Sequence, residues 1–126
     1  MSVRTATAEV SVLDDGIVVT RIDAGIKQSL AQARENLAAT ITSCGGQRRP
    51  LLVDISQCAP LDPEVRHFYT GDVLVASFVA LAILVEATPF GRTMGNIYLR
   101  VARAGIPTRL FADESAAIAW LRRQRR

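Results

Sequence analysis

The chain has 126 residues, a length that fits one domain and leaves little room for two. Hydrophobic residues make up 49% of it, which is ordinary for a globular chain, so we expect no need for a disulfide or metal to stabilise the fold. The formal net charge of +3 comes from a C-terminal arginine cluster, without which the balance is slightly acidic. We therefore expect no nucleic acid partner. The cluster consists of Arg122, Arg123, Arg125 and Arg126.

The cysteines limit the possible metal and redox chemistry, and the apolar segments limit the possible cellular location. Cys44 and Cys58 form no CxxC pair, and the single His67 gives no metal-ligand spacing, so we expect no metal, no cofactor and two free thiols in a reducing cytoplasm. Residues 1–9 lack the charged and apolar regions of a signal peptide. Residues 73–85 are apolar but shorter than the about 20 residues that span a bilayer, so we expect no membrane span.

The first half of the chain predicts a hairpin and a helix. Apolar residues at 10–12 and 17–22 predict two strands, because the Asp-Asp-Gly sequence at 14–16 between them favours a tight turn. Asp23 is the predicted cap of the first helix, which Gly45 and Gly46 end. Its apolar stripe has helical spacing and consists of Ile26, Leu30, Ala33, Leu37, Ile41 and Cys44.

The second half alternates strands and helices. The run at 51–55 predicts a strand buried on both faces, and Asp62 and Pro63 open a helix that we expect to reach about residue 75. Residues 78–85 predict the central strand, although a continued helix has the same periodicity. Thr88-Pro89 opens a predicted third helix that ends at Gly105. Residues 108–111 predict the last strand, and Asp113 is the predicted cap of the last helix.

This order, ββαβαβαβα, predicts an α/β fold with a mixed, mostly parallel five-stranded sheet and about four helices. We expect a single domain over residues 1–126, with residues 122–126 as a frayed basic tail.

Residues 51–66, LLVDISQCAPLDPEVR, carry a family resemblance. They resemble the central part of STAS domains, the SpoIIAA-like fold of bacterial anti-sigma-factor antagonists. In that family a buried strand ends in an aspartate, and an Asp-Ser pair then opens the next helix. Asp54 and Asp62 match those two aspartates. The closing helix is similar to that of divergent STAS-like bacterial proteins of unknown function, through Asp113, Glu114, Ala117, Trp120 and Leu121.

One position departs from the family pattern. The resemblance implies a switch in which the serine after the helix-start aspartate is phosphorylated, but this chain has Pro63 there, followed by Glu64. Because proline has no hydroxyl, we expect the switch to be absent. Two interpretations of Glu64 stay open: a permanent charge that imitates the phosphate, or an ordinary acidic partner of the helix dipole.

Two helix starts are candidate sites. Asp62 is either a structural cap alone or a cap within the interface that the resemblance implies, and the nearby Glu64 and Arg66 extend that surface. Residues 88–96 form either a plain capped helix or an anion pocket, with donors from Arg92, Thr93 and Asn96. Ligands of parallel sheets bind beyond the carboxyl ends of the strands, so we expect Asp62 and Arg92 to share one surface.

Three hypotheses of function follow. The first is a non-catalytic regulatory module that binds a protein partner, and the second is a small-molecule or lipid-binding domain of the same fold. Its apolar pocket would be lined by Phe68, Phe78, Phe90, Met94 and Trp120. The third, an enzyme with Cys58 as nucleophile and His67 as base, lacks a third group to orient them, so we expect no catalytic residues. A homodimer through an edge strand or the last helix and a monomer both stay open.

Overall fold

The computed structural model of the chain describes residues 2–60, 62–68, 76–89, 91 and 106–124. Its six strands form one mixed sheet in the order β1-β2-β3-β4-β5-β6. The strands are β1 (Ser2–Arg4), β2 (Ala8–Val12), β3 (Val18–Ile22), β4 (Arg49–Asp54), β5 (Phe78–Leu84) and β6 (Thr108–Phe111). The described helices are α1 (Leu30–Ser43), α2 (Pro63–Phe68) and α3 (Glu114–Arg123).

The antiparallel part of the sheet opens the chain. β2 pairs with β3 through the predicted hairpin, in which the Leu13 carbonyl accepts a hydrogen bond from the Gly16 N–H at 2.9 Å. Gly16 has φ +89°, a conformation that suits glycine, so the Asp-Asp-Gly signature identified this turn correctly. β1 adds an antiparallel strand outside β2, so the described part of the chain has six strands where the sequence predicted five.

The remaining strands are parallel, as the alternation of elements predicted. β3 pairs with β4, β4 with β5 and β5 with β6, so these four strands end at the same edge of the sheet. Residues 78–84 form a strand, which settles the ambiguity between strand and helix. The β4–β5 register shifts at Arg49 and Pro50, because Val79 is an additional residue in β5.

Two apolar cores lie on opposite faces of the sheet. On one face α1 and α2 cover a cluster that includes Phe78 and Val65, with Phe68 packed against it. On the other face α3 covers a second cluster, in which Trp120 and Phe111 lie with ring centroids 5.7 Å apart. Because the sheet separates these clusters, Phe68 and Phe78 cannot share a pocket with Trp120, and the predicted apolar pocket is wrong in that respect.

The start of α1 differs from the prediction. Ser29 caps the helix: its hydroxyl accepts the Gln32 N–H at 3.1 Å, and the Gln32 side chain accepts the Ser29 N–H at 3.0 Å. This reciprocal capping box satisfies two backbone donors that a helix start otherwise leaves free. Asp23, the predicted cap, instead accepts two hydrogen bonds from the Arg4 guanidinium, at 2.8 and 2.9 Å.

The last helix begins as predicted and ends later. The Asp113 carboxylate accepts the Ala116 N–H at 3.2 Å, and Trp120 and Leu121 are buried. α3 continues through Arg123, and the Arg122 guanidinium lies 2.6 Å from Asp15, so fraying does not begin at residue 122. The predicted third helix falls mostly on 90 and 92–105, outside the described residues. Within the described part of the chain, no helix has the length and apolar character that crossing a bilayer requires.

Candidate interaction surface

The parallel strands end in a cluster of charged side chains on the α3 face of the sheet. Arg21 on β3 lies opposite Asp54 on β4 in the strand register. The Arg21 guanidinium donates to the Asp54 carboxylate and, at 2.8 Å, to Glu114 in the first turn of α3. One arginine thus connects two strands of the sheet with the helix that covers them. We call Arg21, Asp54 and Glu114, with the loops around them, the carboxyl edge.

Asp54 is the buried member of the carboxyl edge. Its side chain is only 9% exposed, and it also accepts hydrogen bonds from the Ser56 N–H at 2.9 Å and the Ser56 hydroxyl at 2.6 Å. These donors and the guanidinium compensate for the several kcal/mol that burying a lone carboxylate costs. The hydrogen bond to Glu114 is the main reason that the pKa of Arg21 is raised, and partial burial opposes it. Arg21 therefore stays a cation at every physiological pH.

Two cavities flank the Arg21–Asp54 pair. One, of about 400 Å³, opens toward the start of α3 and is lined by Glu86 and Asp113 among others. The other, of about 220 Å³, opens toward β1. Gln57 lines both cavities, together with the ion pair. Both are polar, and neither is lined by the aromatic residues expected of an apolar pocket.

Two loops at the carboxyl edge are joined by backbone hydrogen bonds. The loop that leads into α1 donates from Gly25 to the Gln57 carbonyl at 2.9 Å, and its Ile26 carbonyl accepts the Ala59 N–H at 2.9 Å. Gly25 has φ +73°, so a glycine suits this contact. The loops 23–29 and 55–60 consequently form one continuous surface next to the start of α2.

The start of α2 lies on this surface. Asp62 directly precedes the helix, as predicted, and its Oδ1 lies 3.1 Å from the Lys27 Nζ of the other loop. Both side chains of this pair are more than half exposed, and Pro63 and Glu64 are exposed as well. Glu64 lies in the first turn of α2, where its carboxylate interacts favourably with the positive end of the helix dipole.

The other predicted site residues are only partly placed. Arg66 has its backbone in α2, and its side chain is not among those described. Arg92, Thr93 and Asn96 lie outside the described residues, so a surface shared by Asp62 and Arg92 stays a prediction. The start of the predicted third helix is described: the Thr88 hydroxyl accepts the Gly91 N–H at 2.9 Å, the contact expected of a capping threonine.

Cys58 and His67 do not form an activated nucleophile. Burial raises the pKa of the Cys58 thiol to about 11, and the thiol donates to the Ile55 carbonyl at 3.5 Å. At that pKa roughly one thiol in ten thousand is ionised at neutral pH, whereas reactive cysteines have lowered pKa values. His67 is exposed on α2. Among the described residues, no group of three or more His, Cys, Asp or Glu side chains is placed to hold a metal ion.

A second polar cluster, which we call the α1 network, lies buried beneath α1. The Thr40 hydroxyl on the helix lies 2.7 Å from that of Thr20 on β3. One turn earlier, the Asn36 amide donates to Thr7 at 2.8 Å and to Gln28 at 3.2 Å. All five side chains belong to buried residues, so these hydrogen bonds fix α1 on the sheet. One buried threonine and one buried asparagine on the sheet-facing side of α1, Thr40 and Asn36, were not anticipated from the sequence.

The comparisons with known proteins identify the family. A family model described as a domain of unknown function, DUF7793, matches residues 11–125. The chain belongs to the DUF7793 family. Comparison of this DUF7793 chain with curated proteins found no match.

Solved structures identify the fold. One similar structure is an uncharacterised protein of the DUF3478 family from Shewanella loihica PV-4, which has a SpoIIAA-like fold. The match covers 96% of this chain and 98% of that one, with 15% sequence identity and a TM-score of 0.64. Another is a protein of unknown function from Arthrobacter sp. FB24, 25% identical over 94% of this chain and 95% of that one, with a TM-score of 0.37. The match to the DUF3478 structure shows that the DUF7793 chain has the SpoIIAA-like fold that its central segment predicted.

Proposed function

We propose that this DUF7793 chain is a non-catalytic, cytoplasmic interaction module, and that its partner is a regulatory protein that binds at the start of α2. The docking surface consists of Asp62, Pro63 and Glu64 together with the adjoining loop residues Lys27 and Gln57. Asp62 corresponds to the helix-start aspartate in the STAS resemblance, where the partner surface lies.

The observation that carries the proposal is an exposed helix start that hydrogen bonds and an ion pair connect to a neighbouring loop. Two hydrogen bonds join loops 23–29 and 55–60, and the Lys27–Asp62 ion pair joins the first of these loops to the residue before α2. The side chains of Lys27, Gln57 and Glu64 are nonetheless exposed. A surface that is ordered before binding loses little conformational entropy when a partner docks, which favours binding.

The non-catalytic part of the proposal is supported by the chemistry of the cysteine. A partly buried thiol whose pKa is about 11 is a poor nucleophile, and Cys58 is the residue that an enzyme hypothesis would use. Pro63 also removes the hydroxyl that a kinase would need at this helix start. We infer that binding at this surface is constitutive, because Pro63 cannot be phosphorylated.

No observation favours the second hypothesis, a domain that holds an apolar ligand. Phe68 and Phe78 belong to the core beneath α1 and α2, whereas Trp120 belongs to the core beneath α3. A ligand would contact only one of these groups.

The test is photo-crosslinking in the source cell at native expression. A photoreactive amino acid replaces Gln57 on the proposed surface or, as the control, Ser115, which is exposed on α3 across the sheet. We expect Gln57 to give one discrete heavier adduct that Ser115 does not give. Equal adducts at both positions, or none at Gln57, would contradict the proposal.

A charge reversal identifies the role of Glu64. With the photoreactive residue kept at Gln57, Glu64→Lys should reduce the adduct about tenfold, because reversing a charge within an interface disrupts its electrostatic complementarity. Glu9→Lys is the matched control, since Glu9 is also exposed but lies on β2. If both reversals reduce the adduct equally, Glu64 is not part of the interface.

A further inference from the structure

The outer strand β1 is a terminal strand of the sheet. Among the described strands it pairs with β2 alone, and its three residues are exposed. Val3, in the centre of β1, is 46% exposed. Among the described residues it is the one large hydrophobic residue that is exposed. Val3 lies opposite Val10, which is fully buried beneath α1, so the apolar face of the sheet continues outward onto β1.

The backbone groups of β1 that point away from β2 can be assigned. The Thr5 N–H donates to the Ala8 carbonyl at 2.9 Å, so the Thr5–Ala8 pair is a hydrogen-bonded pair. Hydrogen-bonded and non-hydrogen-bonded pairs alternate along antiparallel strands. Val3 therefore directs its N–H and C=O toward Val10, whereas Ser2 and Arg4 direct theirs outward. A terminal strand with such unpaired groups can accept another strand.

The charge on β1 does not oppose such pairing. Charged side chains commonly protect terminal strands from association. The Arg4 guanidinium, however, is bound by both oxygens of Asp23, at 2.8 and 2.9 Å. The other two side chains of the strand, Ser2 and Val3, are uncharged.

We propose that β1 pairs antiparallel with β1 of a second copy of this chain, with the two-fold axis at Val3. In this register Ser2 lies opposite Arg4 of the second copy, and each such pair exchanges two backbone hydrogen bonds. The two Val3 side chains meet as a non-hydrogen-bonded pair, and the two sheets become one continuous sheet. No like charges lie directly opposite each other. The register is thus complementary to itself, as a two-fold interface requires.

Proline at residue 2 tests the hydrogen bonds. Ser2→Pro removes an outward N–H from each copy and leaves the β1–β2 bonds intact, whereas Ser2→Ala keeps the N–H. We expect sedimentation equilibrium from about 1 μM to 1 mM to show a monomer–dimer equilibrium for the natural chain. Ser2→Pro should raise its dissociation constant about tenfold or more, and Ser2→Ala should leave it within about threefold. A natural chain that stays monomeric throughout would overturn the proposal.

A disulfide tests the register independently. In a non-hydrogen-bonded pair the Cα atoms lie about 4.5 Å apart, within the range that a disulfide spans. Val3→Cys should therefore give a covalent dimer on mild oxidation. Ser11→Cys, on the inner strand β2, and the natural chain with Cys44 and Cys58 are the controls and should form no covalent dimer under the same oxidation. A dimer that neither Ser2→Pro weakens nor Val3→Cys links would form elsewhere and would refute this interface.

Discussion

Arg21 links three elements that are far apart in the sequence. Its guanidinium joins β3 to Asp54 on β4 and to Glu114 on α3, a residue 93 positions away. The three charges face the same side of the sheet because Arg21 and Asp54 are register partners on neighbouring parallel strands. The cluster is therefore structural as well as part of the carboxyl edge, and its removal should lower the free energy of unfolding.

Arg21→Met should destabilise the chain by about 2 kcal/mol, because it leaves the buried Asp54 carboxylate without its cation while Ser56 still donates to it. Urea unfolding at neutral pH measures this loss. Lys27→Met is the matched control: it breaks a largely exposed ion pair and should cost no more than about 1 kcal/mol. Adding Asp54→Asn should recover part of the loss by removing the stranded charge. Equal losses from Arg21→Met and Lys27→Met would contradict this assignment.

The residues of the carboxyl edge were only partly predictable. Asp54 and Asp62 could be found because a strand-end aspartate and a helix-start aspartate have recognisable neighbours in the sequence. Arg21 and Glu114 could not, since their contact depends on how a distant helix packs. One indication of this site was present in the sequence: Arg21 is a charged residue near the end of the otherwise mostly apolar strand Val18–Ile22.

At the level of elements, α1 is held by its polar contacts as well as by its apolar face. The Thr20–Thr40 and Asn36–Thr7 hydrogen bonds connect the helix to β3 and to the turn before β2. Apolar contacts alone would tolerate small rotations of a helix on a sheet, whereas directional hydrogen bonds specify one position. The α1 network therefore selects one docking geometry.

Thr40→Val should lower the free energy of unfolding by about 1–3 kcal/mol, because the Thr20 hydroxyl stays buried without its partner. Thr42→Val is the matched control: the same change at an exposed position of the same helix should be within about 0.5 kcal/mol of the natural chain. Thr20→Val combined with Thr40→Val should recover most of the loss, because both polar partners become apolar. Thermal and urea unfolding measure all three. If the double variant loses as much free energy of unfolding as the two single variants together, the hydrogen bond between the two hydroxyls is not the cause of the destabilisation.

Two elements show why local patterns were insufficient. β1 is a strand of three exposed residues, too short and too polar to show the alternation that identified β2 and β3. The first helix begins at Leu30 after Ser29 rather than after Asp23. Both are good capping residues, and the choice is made by Arg4 and by the hydrogen bonds between loops 23–29 and 55–60, which are tertiary contacts.

On the scale of the whole molecule, one sheet supports two separate cores. α1 and α2 cover one face, where α1 packs mainly on β2 and β3. α3 covers the other face, where it packs on β4, β5 and β6. The order of strands and the parallel pairing were predictable, because alternating β and α elements have few acceptable topologies. The face of the sheet on which each aromatic residue lies was not predictable, because one additional residue in β5 turns the Phe78 side chain to the opposite face.

The shared sheet predicts cooperative unfolding. Leu121→Ala, in the α3 core, should cost about 2–4 kcal/mol. Trp120, the single tryptophan of the chain, reports on that core by fluorescence, whereas far-ultraviolet circular dichroism reports on all elements. In both the natural chain and Leu121→Ala we expect the two urea transitions to coincide. A fluorescence transition that precedes the dichroism transition would show that α3 unfolds as an independent unit.

The bulge in β5 has a consequence for changes of chain length. Because neighbouring residues of a strand face opposite sides, Val79 places Phe78 beneath α1 and α2, although the register of the following residues would direct it toward α3. Deleting this one residue would carry the phenyl ring to the opposite face and leave an empty volume in the core that it now fills. A single-codon deletion here is thus a more severe lesion than the conservative replacement of any one side chain in the strand.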